Sequence, residues 1–250
     1  MKSYDVIGNI AILKHDKNNK KLAKKILRQN KNIRTVLEKK EKVHGRLRTI
    51  KTKFLAGEKT KEALYKENNC VFRLNVESCY FSPRLSEERK EIAAKIKKKG
   101  NILVLFAGVG PFACVIAKNN PKTSVVSVEL GRECCKYALI NKKMNKLDNL
   151  DVLQGDVKRI LPRLKEKFDI IVMPRPQLKD TFLKEALKAA RRGSLIYYYG
   201  FSREDELPAV EKELYDEAKK IRKKIKILKV KKTGEIAPYK YRFRIEIKVL

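Results

Sequence analysis

Asn101-Ile-Leu-Val-Leu-Phe-Ala-Gly-Val-Gly-Pro-Phe112 is an apolar run that stops at two glycines and resumes with helical composition. Residues 102–106 read as a buried strand, 107–111 as a tight turn and 112–118 as the first turns of a helix. Gly108 and Gly110 carry no Cβ, so the backbone can take positive φ there and a ligand can approach it closely, beside the outward-pointing N–H groups that open a helix. Phe106, Ala107, Gly108 and Gly110 are therefore candidates for a cofactor cradle.

Glycines at a strand-to-helix turn often serve the turn alone, so the neighbouring runs decide the matter. Ser124-Val-Val-Ser-Val128 is a second apolar run and ends in Glu129, where a carboxylate of a Rossmann-like fold accepts hydrogen bonds from a ribose diol. Leu150-Asp-Val-Leu-Gln-Gly-Asp156 is a third, and Asp156, with Val157 beside it, stands where the amino group of adenine could be read. Three strand ends thus converge on one nucleoside-sized ligand. The missing third glycine at the dinucleotide spacing argues against a pyrophosphate and for a smaller adenosine compound such as S-adenosylmethionine.

Outward from this centre, residues 102–106, 112–119, 124–128, 132–145, 150–154, 158–165, 168–173, 180–191 and 194–199 alternate strand and helix. That pattern means an α/β fold, a mostly parallel sheet with helices on both faces. A helix over 209–224 and strands over 225–230 and 241–249 follow, the strands pairing antiparallel across a loop at 233–238. Upstream, 85–98 reads as an amphipathic helix. Before it come a strand with a glycine bulge over 4–13, a helix over 20–29, strands over 35–42 and 46–55, a polar connection over 61–69 and a strand over 71–76. The expected organisation is a small basic α+β module, 1–76, followed by the α/β domain, 77–250.

The chain of 250 residues has 61 Lys and Arg against 29 Asp and Glu, a formal charge of +32. Such an excess predicts a polyanionic partner. A generally lysine-rich proteome would also raise the count, but here the excess gathers at the ends: 20 basic and 7 acidic residues within 1–69, 13 and 2 within 219–250. No apolar run reaches a membrane span and no signal peptide opens the chain, so a cytoplasmic protein without a membrane is expected. The cysteines, Cys70, Cys79, Cys114, Cys134 and Cys135, lack paired zinc spacing, and only His15 and His44 could join them; no metal site is expected. They read as buried small residues, although the spacing of Cys70 and Cys79 would also suit a bridge across a hairpin.

Tyr80-Phe-Ser-Pro-Arg84, Phe106-Ala-Gly-Val-Gly-Pro-Phe112, Gly155-Asp156 and Tyr197-Tyr-Tyr-Gly-Phe201 resemble, in order and spacing, the archaeal and eukaryotic tRNA guanosine-37 N1-methyltransferases. Tyr4-Asp-Val-Ile-Gly-Asn-Ile-Ala-Ile and Ala56-Gly-Glu-Lys-Thr60 resemble that family's middle domain, so the resemblance covers nearly the whole chain. It implies a Rossmann-like class I methyltransferase sheet with an antiparallel C-terminal edge, S-adenosyl-L-methionine as methyl donor, and tRNA, at its anticodon stem-loop, as partner. No obligatory protein partner is evident. By the same resemblance, Tyr80 and Arg84 flank the methyl donor, Met173 joins the cofactor-binding set, and Glu88 is the general base. A carboxylate that takes the N1 proton as the methyl arrives removes a large penalty. Arg48 would stabilise negative charge developing on guanine O6.

The chain departs from the family in two places. After the second strand it reads Val128-Glu-Leu-Gly-Arg132 in place of an aspartate followed by a small residue, Asn and Pro, so Glu129 takes the ribose role with a longer arm. At the end of the fourth strand Asp169-Ile-Ile-Val-Met-Pro-Arg-Pro176 stands where the family shows Asn-Leu-Pro. Pro174 then replaces the asparagine that would hold the guanine edge, and proline offers neither a side-chain donor nor an N–H. Pro174, Arg175 and Pro176 are the substrate-side candidates, with the Met173 carbonyl and Gln177 nearby. The middle-domain motif begins at residue 4, so a separate N-terminal recognition domain is not expected. Alternatives on the same nucleotide are wyosine-pathway reactions: aminocarboxypropyl transfer, or methylation of the tricyclic precursor as a second activity, which an altered base pocket would suit. A catalytically silent RNA-binding protein is the alternative from another class, and the retained cofactor-facing positions argue against it.

Overall fold

The computed structural model describes residues 4–16, 18–41, 45, 48–97, 99–175 and 177–250. The N-terminal unit is β1 (Asp5–Ile7), β2 (Ile10–Leu13), α1 (Asn19–Gln29), β3 (Thr35–Lys39) and β4 (Thr52–Gly57), a sheet in the order β1-β2-β3-β4 in which β2 and β3 run parallel. The expected single strand over 4–13 is two strands: Ile7 pairs with Ile10, and Gly8-Asn9 forms the two-residue turn that such a hairpin favours. The strand expected over 46–55 begins only at Thr52, and positions 46 and 47 lie outside the described residues. Ala23 and Ile26 of α1 bury against Ala11, Leu13 and Val36, while its lysines stay in water.

The polar connection expected at 61–69 is a strand. β5 (Glu62–Glu67) pairs antiparallel with β6 (Cys70–Asn75), turning Ala63 and Glu67 inward on alternate positions. Beyond β6, a 3₁₀ turn, Pro83–Leu85, leads into α2 (Ser86–Lys95).

The main sheet then builds in alternation: β7 (Asn101–Leu105), α3 (Pro111–Asn119), β8 (Ser124–Glu129), α4 (Arg132–Met144), β9 (Leu150–Gln154), α5 (Val157–Ile160), β10 (Phe168–Met173), α6 (Leu183–Ala189), β11 (Ala190–Ser202), α7 (Leu207–Lys220), β12 (Ile225–Ala237) and β13 (Lys240–Val249). Its order is β12-β13-β11-β10-β7-β8-β9. The strands from β11 to β9 are parallel, and β13 joins β11 antiparallel. Strand periodicity splits the core between the two faces: Ile102 and Val104 pack with α2, α3, α4 and the β5–β6 hairpin, Leu103 and Leu105 with α6 and α7.

α6 is shorter than the helix expected over 180–191. Asp180 and Thr181 side chains accept the N–H groups of Phe182 and Leu183, at 2.9 and 3.2 Å, and so hold the preceding residues in a capping turn. The loop expected at 233–238 is a continued hairpin, with Ala237 paired to Lys240 across the turn Pro238-Tyr239. All five cysteines are free and buried, so Cys70 and Cys79 do not bridge.

The β5–β6 hairpin is fastened to α4 by two asparagines one helical turn apart. Asn141 Oδ1 accepts the Arg73 N–H at 2.7 Å and its Nδ2 donates to the Arg73 and Val109 carbonyls at 3.1 and 2.9 Å. Asn145 likewise takes the Val71 N–H at 2.8 Å and donates to the Val71 carbonyl at 2.7 Å. These amides complete the exposed edge of β6 as a neighbouring strand would. The expected module boundary at residue 76 falls just after this hairpin, which is itself bonded to the helix layer of the main sheet.

Candidate active site

A cleft opens where β7 and β8 end, with about 1090 Å³ of empty space counted to its open mouth, the scale of a small-molecule site. Its floor is the turn after β7. Phe106, Gly108 and Gly110 all have positive φ, 55°, 58° and 83°. The two glycines do different work. A Cβ built on Gly108 would meet nothing nearer than the Tyr80 carbonyl at 3.8 Å and would occupy cleft space, whereas one on Gly110 would press toward Cys114 Sγ at 3.4 Å and Ala138 Cβ at 3.6 Å. Gly108 therefore keeps the cleft open to a ligand, and Gly110 lets α3 start close against α4. Glu129 ties this floor together: Gly108 N–H donates to its Oε2 at 2.8 Å and Gly131 N–H to its Oε1 at 2.7 Å. Its carboxylate is held at the β8 end facing the cleft.

Of the residues that the sequence offered for a cofactor, Phe106, Ala107, Gly108, Glu129 and Val157 are brought together as lining of this cleft. Arg48, Tyr80, Pro174 and Arg175 line the same cleft. The Arg48 guanidinium lies 3.6 Å over the Tyr80 ring, a distance at which a cation is held on an aromatic face. Arg175 donates to the carbonyls of Leu178 and Asp180 at 3.0 and 3.2 Å, which sets the segment after β10. Its own N–H takes the Met173 carbonyl at 2.7 Å.

Other expected residues lie elsewhere. Arg84 pairs with Asp5 at 3.1 Å on the surface, because the 3₁₀ turn that carries it sends Ser82 and Leu85 inward instead. Gly110 sits behind the floor. The Met173 side chain is fully buried in the core. Asp156 caps α5, accepting the Lys158 N–H at 2.9 Å, and it is Val157 that reaches the cleft. Pro176 lies outside the described residues.

Glu88 is not on the cleft wall. It is buried, accepts the Tyr199 hydroxyl at 2.7 Å, and forms an ion pair with Arg244. Arg244 is fully buried and also donates to Glu91 at 2.7 Å and Glu246 at 2.8 Å, while Lys95 reaches Glu246 at 2.7 Å. Lys231 pairs with Glu91. Three carboxylates and three cations thus close on one another, so each buried charge has a partner. Hydrogen bonding from Arg244, against some burial, holds Glu91 at about 2. Burial, with the Glu88 carboxylate alongside, pushes the Tyr199 phenol well above its usual range. Tyr199 lines the cleft and is the contact between the cleft and Glu88.

The sequence reading also missed Arg89, Phe201 and Arg242 as lining residues. Arg89 is held by Glu67 of β5, with one contact at 2.5 Å, and donates to the Ser82 carbonyl at 3.1 Å. Arg242 pairs across the sheet with Phe201, and its guanidinium lies 5.4 Å from that ring. Burial, and then the charge of Arg48 opposing the pull of Tyr80, lowers the Arg242 pKa. A signal existed for it: Arg242, Arg244 and Glu246 alternate with Phe243, Ile245 and Ile247, which places charges on one face of an otherwise apolar strand. The cleft thus brings a backbone cradle and a carboxylate together with arginines and aromatic rings.

Comparison with known proteins agrees with this layout. Residues 63–228 match the TRM5/TYW2 methyltransferase domain and residues 1–60 the TYW2 N-terminal domain. The chain is 35% identical to the tRNA (guanine(37)-N(1))/4-demethylwyosine(37)-methyltransferase Taw22 of Nanoarchaeum equitans, covering 98% of this chain and 99% of that protein. The crystal structure of wild-type Trm5b from Pyrococcus abyssi superposes with a TM-score of 0.86 at 31% identity, over 99% of this chain and 74% of that one. A complex of aTrm5 with tRNALeu gives 0.86 at 25% identity, over 99% and 72%. The floor after β7, the arginine-lined wall and the sheet that joins them are therefore those of a member of the TRM5/TYW2 methyltransferase family.

Proposed function

We propose that the protein transfers a methyl group from S-adenosyl-L-methionine to N1 of guanosine 37 of tRNA, acting in the cytoplasm. The observation that carries this reading is the make-up of the cleft: Gly108 and Glu129 offer a nucleoside cradle, and Arg48, Tyr80 and Arg242 line the same cleft from other parts of the chain. The cradle fits the cofactor, since the space a Cβ would fill at Gly108 is open and Glu129 presents its carboxylate at the strand end. When bound, S-adenosylmethionine supplies an electrophilic methyl group. Glu129 would hold its ribose, and Phe106 and Val157, which line the same cleft, would contribute apolar contact. Arg48 and Arg242 bind the nucleotide and favour negative charge at O6 as the proton leaves.

Glu88 acts through Tyr199 in this scheme. The N1 proton passes to the Tyr199 oxygen as the Tyr199 proton passes to Glu88 Oε1, leaving the N1 lone pair for the methyl group. Because both transfers occur together, the phenol never stands as a phenolate, which its buried position would resist. Arg244 keeps Glu88 turned toward Tyr199. Pro174 supports a second reading, methylation of the tricyclic wyosine precursor, since it removes a side-chain donor from the base-facing wall. Analysis of nucleosides from tRNA incubated with methyl-labelled cofactor separates these readings: label in 1-methylguanosine supports the first, label only in a tricyclic base the second.

A further inference from the structure

The β12–β13 hairpin runs on past the end of the sheet. Ser202, the last residue of β11, pairs with Tyr241. From there β12 and β13 continue alone through the pair Ala237 and Lys240 to a two-residue turn. β11 is parallel to β10, and β10 to β7, so the hairpin projects from the rim on which the cleft opens. Arg242, at the hairpin's root, lines that cleft.

Tyr239 occupies the tip with a φ of 60°, at the second central position of a turn that begins with proline. Glycine or asparagine usually takes that place. Tyr239 is 72% exposed, more than any other exposed large apolar residue among those described. The hairpin near it carries Lys232, Lys240 and Arg242 against a single acid, Glu235, while Lys231 is taken up by Glu91 and Lys229 stands opposite Glu246 in the body of the sheet. Lys232 bonds Glu204 at 2.7 Å and lies 3.7 Å over the Tyr241 ring. Unpaired nucleotides are held by just such a combination, an aromatic face on which a base stacks and cations that follow the phosphates. A protein partner would instead ask for a contiguous apolar patch.

Resting on the reading of RNA as substrate, we propose that the β12–β13 hairpin is a docking arm for single-stranded RNA, with Tyr239 stacking on an unpaired base beside the one that enters the cleft. Binding of a G37-containing stem-loop and of a fully paired RNA, measured by fluorescence anisotropy, tests it on the full chain, together with methyl-transfer kinetics. Tyr239→Ala should weaken stem-loop binding and raise KM about 5- to 50-fold, with kcat, cofactor affinity and duplex binding held within about twofold and Tyr239→Phe close to wild type. Unchanged stem-loop binding by Tyr239→Ala overturns the proposal. So does an equal loss on duplex RNA, which marks a phosphate contact, or an equal loss in Tyr239→Phe, which marks a hydroxyl contact. Wild-type binding without methylation defeats the functional reading while the anisotropy comparison still decides the arm; a wild type that binds no RNA defeats both.

Discussion

Glu129 holds backbone before it holds any ligand. Its two oxygens fix Gly108 and Gly131, so the carboxylate proposed to meet a ribose is also the one that shapes the cradle. Glu129→Ala should weaken S-adenosylmethionine binding by about 1.5–3 kcal/mol, the range for losing a charge-assisted acceptor. Calorimetric titration measures this, and unchanged affinity would place the ribose elsewhere. The Glu88–Tyr199 pair makes a kinetic prediction. Glu88→Gln and Tyr199→Phe should each slow single-turnover methyl transfer by roughly 10²–10⁴-fold, and the double variant should be little slower than either. Additive losses would mean that the two side chains serve separate steps. Arg244 keeps Glu91 and Glu246 as partners in Glu88→Gln, so the fold should survive the test.

Among the elements, the asparagine clip on β6 answers for how the hairpin stays in place. Each of Asn141 and Asn145 satisfies both backbone groups of one β6 residue, so replacing either with Ala strands buried polar groups. A loss of about 1–3 kcal/mol per site in urea unfolding is expected. Stability unchanged in both variants would show that hydrophobic packing alone seats the hairpin. The buried ion cluster predicts a pH effect. Glu91 is held at about 2 against an ordinary 4.5, so its contribution is present above the unfolded value and is lost as pH falls through the folded one. The stability gap between wild type and Glu91→Gln should be steady near neutrality and close on acidification toward pH ~2. A gap independent of pH would contradict that assignment. Strands β7, β8 and β10 were legible because burial between two helix layers leaves largely apolar runs. β5 was not: Glu62-Ala-Leu-Tyr-Lys-Glu67 looks polar, and its inward Glu67 is explained only by Arg89, which comes from a distant helix. The cradle was legible because it is local. The surroundings of Glu88 were not, since Tyr199 and Arg244 arrive from 111 and 156 residues away.

Over the whole molecule, the placement of charge and the sheet's topology agree. The strand ends carry the glycine turn and Glu129 proposed to cradle the cofactor, and the basic N-terminal unit and C-terminal hairpin contribute Arg48 and Arg242 to the same cleft. The cradle is built within residues 106–157, whereas the arginines that join it in the cleft come from segments far apart in sequence. The net charge of +32 draws the polyanion in, while the cleft selects one base of it. The most direct test of that division is methyl incorporation from labelled S-adenosylmethionine into two tRNA transcripts that differ only at position 37. The account predicts stoichiometric labelling of the transcript with guanosine there and none of the one with adenosine, with both transcripts bound equally well. Equal labelling of the two, or labelling of neither by protein that binds the cofactor, would contradict it.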